Sequence, residues 1–393
     1  MLTTLPSGFT ETNVVSGLSN PTNMEFAPDG RLFVLEQGGN VKLVHSDGTT
    51  FTALTLTVDS NGERGLLGIA FDPQFASNHF AYLYYTNPQG GGTASGVHNQ
   101  ISRFTVNDND PQHPTFGSET PILDLNDLSS ATNHNGGSIH FSTDGMLYAG
   151  VGENANPPNS QTLDNLLGKF LRINVAGYVG IRDDTTVGHI IPADNPFVGT
   201  ASGINQLIYA LGLRNPFTFA VQPGTGKIFI NDVGQNIWEE IDQAVAGGNY
   251  GWPYSEGFKK PGDQNTSIGT YRDPLLAYNH LGPPPGYNCA IVGGTFYNPP
   301  TVQFPRPLIG KYFFEDLCNQ WIHIFDPAHP GSLIHPDTSM PFASGDAGNT
   351  VALNVDAAGS LYYLSRTSGQ IEKSPIKGGP GGLYPTHWAA ALL

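Results

Sequence analysis

The chain repeats one short pattern six times, and this repeat restricts the possible folds more than any other feature. Each copy has an apolar strand, a turn marked by Asp, Gly or Pro, a second strand rich in aromatic and β-branched residues, and a polar or glycine-containing end. The copies occupy residues 24–39, 69–86, 139–153, 219–235, 295–318 and 353–369. Further alternating strands follow three of them, at residues 40, 99 and 320. Repetition at this spacing indicates an array of similar supersecondary units.

Six units in 393 residues leave about 65 residues for each, enough for a four-stranded blade and a sizeable loop. We therefore predict an all-β fold, a single six-bladed β-propeller over residues 1–393, with the opening strand FTETNVV closing the ring beside the last unit. Composition agrees, because 49 Gly, 31 Pro and only 13% charged residues leave few stretches that favour helices. The alternative is two tandem β-sandwiches, which would call for a linker. The nearest candidate linker is PPPG at 283–286, which is more typical of a loop.

The charge of the chain excludes one class of partner. Seventeen basic against 33 acidic residues give a formal net charge of −16, which repels nucleic acid and serves either solubility or the attraction of a cation. We find no apolar stretch long enough to span a membrane. The two cysteines, Cys289 and Cys318, flank a predicted hairpin, so one disulfide or two reduced thiols are both open. We expect a secreted or periplasmic protein whose signal peptide is absent from this sequence.

Polar residues concentrate at the ends of the predicted hairpins. An antiparallel hairpin places the residue before its first strand beside the residue after its second. In the third unit this rule brings His134 next to Glu153, whose carboxylate would fix the imidazole tautomer and raise its basicity. A histidine in a glycine-rich loop is otherwise most often a turn residue. The same rule predicts that further polar side chains share this rim of the channel, namely Glu63, Arg214, Asn215 and Arg366.

A second group of oxygen ligands follows the fourth unit. The acidic stretch EEID at 239–242 could coordinate a hard cation, with backbone carbonyls of the Gly234 and Gln235 loop completing the site. The same carboxylates could instead cap turns. Arg214, which precedes a proline, could likewise serve only to satisfy loop carbonyls.

The motifs at these positions, taken in order, resemble the glucose/sorbosone dehydrogenase family, whose soluble sugar-oxidising members hold pyrroloquinoline quinone (PQQ) on a six-bladed propeller. The matching segments include NPTNMEFAPDGRLFVLEQGG, GLLGIAFDPQF, NHNGGSIHFSTDGMLYAGVGE, LLGKFLRIN, IPADNPFVG, GLRNPFTFAVQPGTGKIFINDVGQNIWEEI, GGNYGWP and AIVGGTFY. The resemblance implies oxidation of the C1 hydroxyl of a sugar to a lactone, with hydride transfer to PQQ and an external electron acceptor.

The resemblance also implies roles for individual residues. His134 corresponds to the general base and Glu153 to the acidic residue that orients it. Arg214 and Asn215 correspond to the pair beside the reactive carbonyl of the quinone. The implied calcium ligands are the carbonyls of Gly234 and Gln235 for the Ca²⁺ that polarises PQQ, and Glu240 and Tyr250 for a structural Ca²⁺.

The chain departs from the family pattern at two places. The late arginine pair that grips the PQQ carboxylates is missing from GNTVALNVD, where Arg366 at the end of the same hairpin is the candidate substitute. Glu63 stands where the glucose-oxidising members have a glutamine, which adds an acid near an anionic cofactor. Two other functions remain open: a non-catalytic propeller that binds a protein or carbohydrate partner, and a calcium-dependent lactonase.

Overall fold

The structure is a computed structural model that describes residues 5, 8–280, 288–319, 321–329, 342–343 and 349–375. The strands of the N-terminal half are β1 (Thr12–Val15), β2 (Pro21–Phe26), β3 (Leu32–Glu36), β4 (Asn40–Val44), β5 (Thr50–Thr55), β6 (Leu66–Phe71), β7 (Phe80–Asn87), β8 (His98–Asn107), β9 (Thr115–Phe116), β10 (Thr120–Asp127), β11 (Ile139–Phe141), β12 (Leu147–Val151), β13 (Lys169–Ile173) and β14 (Ile208–Leu211). Those of the C-terminal half are β15 (Pro216–Val221), β16 (Ile228–Asp232), β17 (Trp238–Gln243), β18 (Gly248–Asn249), β19 (Thr270–Tyr271), β20 (Leu276–Asn279), β21 (Ile291–Phe296), β22 (Tyr312–Asp316), β23 (Trp321–Phe325), β24 (Thr350–Val355), β25 (Leu361–Ser365) and β26 (Gln370–Ser374).

Helices are few, as the composition predicts. In the described ranges they are the single turn α1 (Phe75–Asn78) and four 3-10 segments, Pro157–Gln161, Val175–Gly177, Gly203–Leu207 and Arg306–Leu308. None of these is long and apolar enough to cross a membrane. The PPPG segment that the sandwich alternative would use as a linker lies outside the described residues.

The strands pair into separate sheets that follow one another along the chain. The strand orders are β2-β3-β4-β5, β6-β7-β8-β10 with β9 beside β8, β11-β12-β13-β14-β18-β19, β15-β16-β17-β20, β21-β22-β23 and β24-β25-β26-β1. Five of these sheets have the four or more strands of a complete propeller blade, and the sheet β21-β22-β23 has three in the described residues. The predicted propeller class is confirmed, with five complete blades where six were expected.

The first strands of the sheets surround a central channel. Contacts run from β2 to β6, β11, β15, β21 and β24 and return from β24 to β2, which closes the ring. Each pair of neighbouring sheets shares its own apolar cluster. One of these clusters joins the first and last sheets through Met24, Val34, Val351, Leu364 and Ile371. The burial of apolar side chains between sheets therefore holds the ring together.

The N-terminal strand closes the ring as the sequence predicts. Strand β1 pairs antiparallel with β26, with Thr12 opposite Lys373 and Val15 opposite Ile371. The chain is thereby fastened by hydrogen bonds between its two ends. A disulfide joins Cys289, which precedes β21, to Cys318, which follows β22, and their Cα atoms are 5.6 Å apart. Of the two states left open by the sequence, the structure has the disulfide.

The channel has two ends that differ in their residues. Its walls are the first strands of the hairpins, and the starts of these strands lie at one end and their finishes at the other. We call the first end the His134 mouth; its cavity is lined by Thr22, Gln37, Gly62, Glu63, Leu67, Asn215, Phe217, Val233, Ala290, Val292, Leu317, Val351 and Arg366. We call the second end the Glu25 mouth; its cavity is lined by residues between 23 and 28, 70 and 71, 138 and 141, 218 and 223, 293 and 300, and 352 and 357.

Candidate active site

The predicted histidine and carboxylate meet as the hairpin rule requires. His134 precedes β11 and Glu153 follows β12, and the imidazole Nδ1 lies 2.6 Å from Glu153 Oε1. Glu153 is fully buried, and its other oxygen accepts a hydrogen bond from the backbone N–H of Asn156. Because an ionised carboxylate only accepts hydrogen bonds, it places the imidazole proton on Nδ1 and leaves the lone pair on Nε2. That lone pair accepts a hydrogen bond from the Asn133 amide, at 3.0 Å.

The backbone around His134 is held in an unusual conformation. His134 has a φ of 58°, in the left-handed region that few residues other than glycine adopt. The loop packs so closely that a Cβ on Gly152 would lie 2.2 Å from the His134 carbonyl oxygen. The backbone N–H of His134 donates to Glu63 Oε2 at 2.7 Å, and that of Asn154 donates to the His134 carbonyl. Such conformations cost roughly 1 to 3 kcal/mol and persist where the surroundings fix them, often at functional sites.

Arg214 and Asn215 are attached to the same group by backbone contacts. The Arg214 carbonyl accepts from the Glu153 N–H at 2.9 Å, and Asn215 Oδ1 accepts from the Gly136 N–H at 3.0 Å. The backbone N–H groups of both residues donate to the Asp232 carboxylate. Burial raises the pKa of Asp232 to about 7, against the opposing effect of these hydrogen bonds. The predicted rim residues of the third and fourth units therefore form one connected group.

The Arg214 guanidinium occupies a defined place in this group. It lies over the ring of Trp252, with Cζ 5.7 Å from the ring centroid, and its Nη1 donates to the carbonyls of Val233 and Gly234. Its Nε is buried and has no hydrogen-bond partner among the described residues. A buried donor without a partner suits an anionic ligand.

Arg366 reaches the same mouth from the last sheet. Its guanidinium lines the cavity, hydrogen-bonds the Gln37 side chain and donates to the carbonyls of Asn20 and Pro21 at 3.2 Å. Burial lowers the pKa of Arg366. The Glu63 carboxylate also lines this cavity, but its Oε2 is engaged by His134 N–H. The cavity lining thus holds one guanidinium and one carboxylate that is already hydrogen-bonded, and a guanidinium is the side chain that suits a carboxylate ligand.

The predicted calcium ligands fall into two groups of different quality. The Gly234 carbonyl accepts a hydrogen bond from Arg214 Nη1 at 2.6 Å, so a cationic side chain of the protein already contacts this oxygen. The Gln235 N–H donates to Glu256 Oε1 at 2.8 Å. A carbonyl oxygen has a second lone pair, so these contacts leave the predicted role of the Gly234 and Gln235 carbonyls as a prediction.

Glu240 lies in a buried acidic group that fits a hard cation better. Burial, reinforced by the neighbouring Asp232, raises the pKa of Glu240 well above its usual range. Asp242, two residues along the same strand, is fully buried, and neither of its carboxylate oxygens has a hydrogen-bond partner among the described residues. The Tyr250 hydroxyl donates to the Gln243 carbonyl and accepts from the Val245 N–H, so it is already used.

Asn133 and Trp252 at this site were not identified from the sequence, whereas Gln37 follows the second strand of the first unit, where the hairpin rule places rim residues. Asn133 holds the imidazole Nε2, Trp252 supports the Arg214 guanidinium, and Gln37 ties Arg366 to the loop that carries Glu63. Gln37 Nε2 donates to the Gly62 and Arg64 carbonyls, both at 2.7 Å. The clustering of Asn around His134 was a usable signal for Asn133, whereas nothing local to Trp252 indicates that it lies beneath Arg214.

The propeller fold and the His–carboxylate pair at one mouth of its channel define a β-propeller with a buried, hydrogen-bonded imidazole at that mouth. The chain belongs to the glucose/sorbosone dehydrogenase family: the family model described as Glucose / Sorbosone dehydrogenase matches residues 18–306. The chain spans about half the length of the curated relatives it matches first.

The individual relatives differ in what their names describe, which is a reaction for some and an interaction for others. Quinoprotein glucose dehydrogenase B of Acinetobacter calcoaceticus is 30% identical over 272 residues, which are 63% of this chain and 52% of that protein. Human Hedgehog-interacting protein is 30% identical over 235 residues, 56% of this chain and 32% of that protein. The PQQ-bound aldose sugar dehydrogenase of Streptomyces coelicolor has a TM-score of 0.71 and 23% identity, and the match covers 95% of this chain and all of that one. At that identity the structure supports the fold alone.

Proposed function

We propose that the chain is a quinoprotein sugar dehydrogenase that oxidises the C1 hydroxyl of aldoses to lactones, with His134 as the general base. The observation that carries the proposal is the His134–Glu153 pair, whose 2.6 Å contact places the imidazole proton on Nδ1 and leaves Nε2 as the acceptor. The backbone of His134 is bonded to Glu63, whose side chain lines the cavity. Membership of the glucose/sorbosone dehydrogenase family supports it. We also propose that the sheet β21-β22-β23 serves as the sixth blade of a single propeller domain over residues 1–393.

In this reaction the C1 hydroxyl proton passes to His134 Nε2 while the C1 hydrogen leaves as hydride. When bound, PQQ supplies the two-electron acceptor for that hydride. Asn133 releases Nε2 to the substrate hydroxyl, and Glu153 stabilises the imidazolium that forms. Arg214 and Arg366 supply positive charge for an anionic cofactor, and Asn215 is held in place by Gly136.

For calcium, we propose that the buried carboxylates of Glu240 and Asp242 provide the protein's hard-cation ligands, joined by backbone carbonyls such as that of Tyr250. The oxygens of Asp242 without hydrogen-bond partners support this assignment over the Gly234 and Gln235 loop. In the described part of the chain, the one cluster of three close ligand-type side chains is Cys289, Asp316 and Cys318, where both sulfurs are bonded to each other. The disulfide also supports a secreted or periplasmic location, because such bonds persist in oxidising compartments.

The test is dye reduction by the purified protein with PQQ and Ca²⁺ on a panel of aldoses. We expect activity in the wild type and a loss of about 10²- to 10⁴-fold in kcat for His134→Ala. His189→Ala is a matched control, because His189 Nδ1 also lies 2.6 Å from a carboxylate, that of Asp184, in a loop away from this mouth. Failure to bind PQQ at micromolar concentration would exclude the enzyme, and full activity of His134→Ala would exclude His134 as the base.

A second candidate is a non-catalytic propeller that recognises a partner. Its support is the similarity to the Hedgehog-interacting protein, a relative whose name describes an interaction and no reaction. The same assay separates the two functions. A protein that binds neither PQQ nor aldoses but keeps its melting transition would favour the binding role.

A further inference from the structure

The larger of the two cavities lies at the Glu25 mouth and takes no part in the function proposed above. Its volume is about 550 Å³, compared with about 230 Å³ at the His134 mouth. A volume of this size is within the range of cavities that hold small molecules, roughly 300 to 1,000 Å³. All six sheets contribute to its walls through the later residues of their first strands.

Two titratable side chains of the lining lie close together in this cavity. Glu25 lies on β2 and His140 on β11, which are next but one in the ring of first strands. Glu25 Oε2 and His140 Nδ1 are 3.6 Å apart, beyond hydrogen-bond distance, and the two side chains keep 20% and 27% of their area exposed. Both side chains line the cavity, so their exposed area opens into it.

The charges at this mouth are of one sign. Among the described residues that line the cavity there is no Lys or Arg, and the titratable ones are Glu25, His140 and Asp356. Desolvation lowers the pKa of His140 to about 4, so its imidazole is neutral at pH 7 and cannot balance Glu25. Asp356 Oδ1 accepts from the Ser360 N–H in a turn at the rim, at 2.8 Å. Glu25 is therefore the carboxyl that faces the cavity without a cationic partner from these lining residues.

The rest of the lining is mostly apolar and includes five phenylalanines, and its uncharged polar members are Asn23, Ser138, Thr218, Thr295, Asn298 and Asn354. The rings are those of Phe26, Phe71, Phe141, Phe219 and Phe296. Phe219 also packs edge-to-face against the His140 imidazole, with ring centroids 4.9 Å apart. Aromatic faces attract cations, and apolar walls favour a ligand with an apolar body. A carboxyl without a counter-charge, set among phenylalanine rings, is the complement of an organic ammonium ion.

We propose that the Glu25 mouth binds a small organic ammonium ion with an aryl or alkyl body, its charge against Glu25 and its body against the phenylalanine rings. This site is separate from the His134 mouth and does not depend on the function proposed for that mouth.

The proposal has a pH dependence whose direction follows from the groups around Glu25. Burial raises the pKa of Glu25 to about 7, with the Asn354 side chain opposing it by a hydrogen bond. The titratable groups that line the cavity with Glu25 from neighbouring elements are His140 and Asp356. A bound cation needs the ionised carboxylate, so the ionised fraction, and with it the affinity, rises about tenfold between pH 6 and pH 8.

The experiment is calorimetric titration of the whole protein, without PQQ, with benzylammonium, which stays protonated over this range. We expect the binding of benzylammonium to tighten about tenfold from pH 6 to pH 8. The Glu25→Gln substitution should weaken it at least tenfold at pH 8, and Asp47→Asn should leave it unchanged. Asp47 is an exposed turn residue, so this control makes the same change in net charge.

Three results would overturn the proposal. They are no binding of benzylammonium at pH 8, equal binding of neutral benzyl alcohol, and a loss of binding in Glu63→Gln in place of Glu25→Gln. The last would put the amine in the His134 mouth. Thermal melting of each variant identifies one that has failed to fold, and Glu25→Asp then serves as the second variant, since it keeps the charge and should keep the pH dependence.

Discussion

The two mouths of the channel each hold a histidine and a glutamate, but the pairs differ in geometry. At one mouth His134 Nδ1 and Glu153 Oε1 are 2.6 Å apart, and the buried carboxylate has a further backbone donor. At the other, Glu25 and His140 are 3.6 Å apart, and burial brings the pKa of Glu25 to about 7. The first pair holds a proton in a fixed place, and the second leaves a carboxyl open to a counter-ion. Residue type alone does not separate a tightly hydrogen-bonded pair from an open one.

The largest expected effect tests the fixed proton at the His134 mouth. Glu153→Gln keeps the shape of the side chain but removes the charge that holds the proton on Nδ1, so the lone pair on Nε2 is no longer assured. We expect kcat with an aldose to fall about 10³- to 10⁴-fold, by analogy with the loss of the orienting carboxylate in a catalytic triad. PQQ binding and the melting temperature should change little. Asp184→Asn, which alters the similar pair with His189, is the control and should leave kcat unchanged.

The next largest effect concerns the disulfide beside the His134 mouth. Ala290 and Leu317 line this mouth, and each is adjacent in sequence to one cysteine of the disulfide. Because the bond closes a loop with a sequence separation of 29 residues, loop-closure entropy predicts a loss of about 3 to 4 kcal/mol in the free energy of unfolding when both cysteines become serine. Urea unfolding of the double variant measures this. An unchanged midpoint with an unchanged slope would show that the bond contributes nothing to stability.

A smaller effect tests the open carboxyl at the Glu25 mouth. The folded pKa of Glu25 is about 7 and its ordinary value is 4.5. Since the folded state holds this proton more tightly than the unfolded state, stability is greatest below pH 4.5 and falls as the pH rises to about 7. The free energy of unfolding of Glu25→Gln should therefore exceed that of the wild type by about 1 to 3 kcal/mol at pH 8, a range that allows for solvent screening of the partly exposed carboxyl. At pH 4 the variant should show no such gain. The same difference at both pH values would contradict the assignment.

Sequence reasoning reached the His134 mouth because its residues follow a local rule. The repeat gave the hairpins, and a hairpin brings His134 to Glu153 whatever the rest of the chain does. The closing strand β1 was also expected, although the repeat itself does not require it. The hydrogen bond from Asn133 to His134 Nε2 could not be predicted in this way. The orientation of the imidazole depends on the left-handed backbone at His134, and contacts from other sheets maintain that backbone.

The Glu25 mouth was beyond such reasoning for a physical reason. Glu25 and His140 lie on two sheets that are not neighbours in the ring, and only the closure of that ring brings their side chains within 3.6 Å of each other. In the sequence, each is a polar residue at an alternate position of an ordinary strand. The capture of the Gly234 carbonyl by Arg214 is of the same kind, since it depends on the rotamer of a long side chain.

The smallest effects come from two opposite charges in one cavity at the His134 mouth. Glu63→Gln removes an acid that faces the proposed anionic cofactor and keeps an oxygen that can accept the His134 N–H, so we expect PQQ to bind a few-fold more tightly. Arg366→Gln removes a guanidinium from the same lining and should weaken PQQ binding about 5- to 10-fold, the equivalent of about 1 kcal/mol for a partly exposed charge pair. Fluorescence titration with PQQ at low and high salt measures both, and salt should reduce the two effects together because both are electrostatic. If the affinity for PQQ changes in the same direction in both variants, the mouth responds to the disruption of its hydrogen bonds and not to its charge. Contacts other than these two side chains would then have to hold the cofactor.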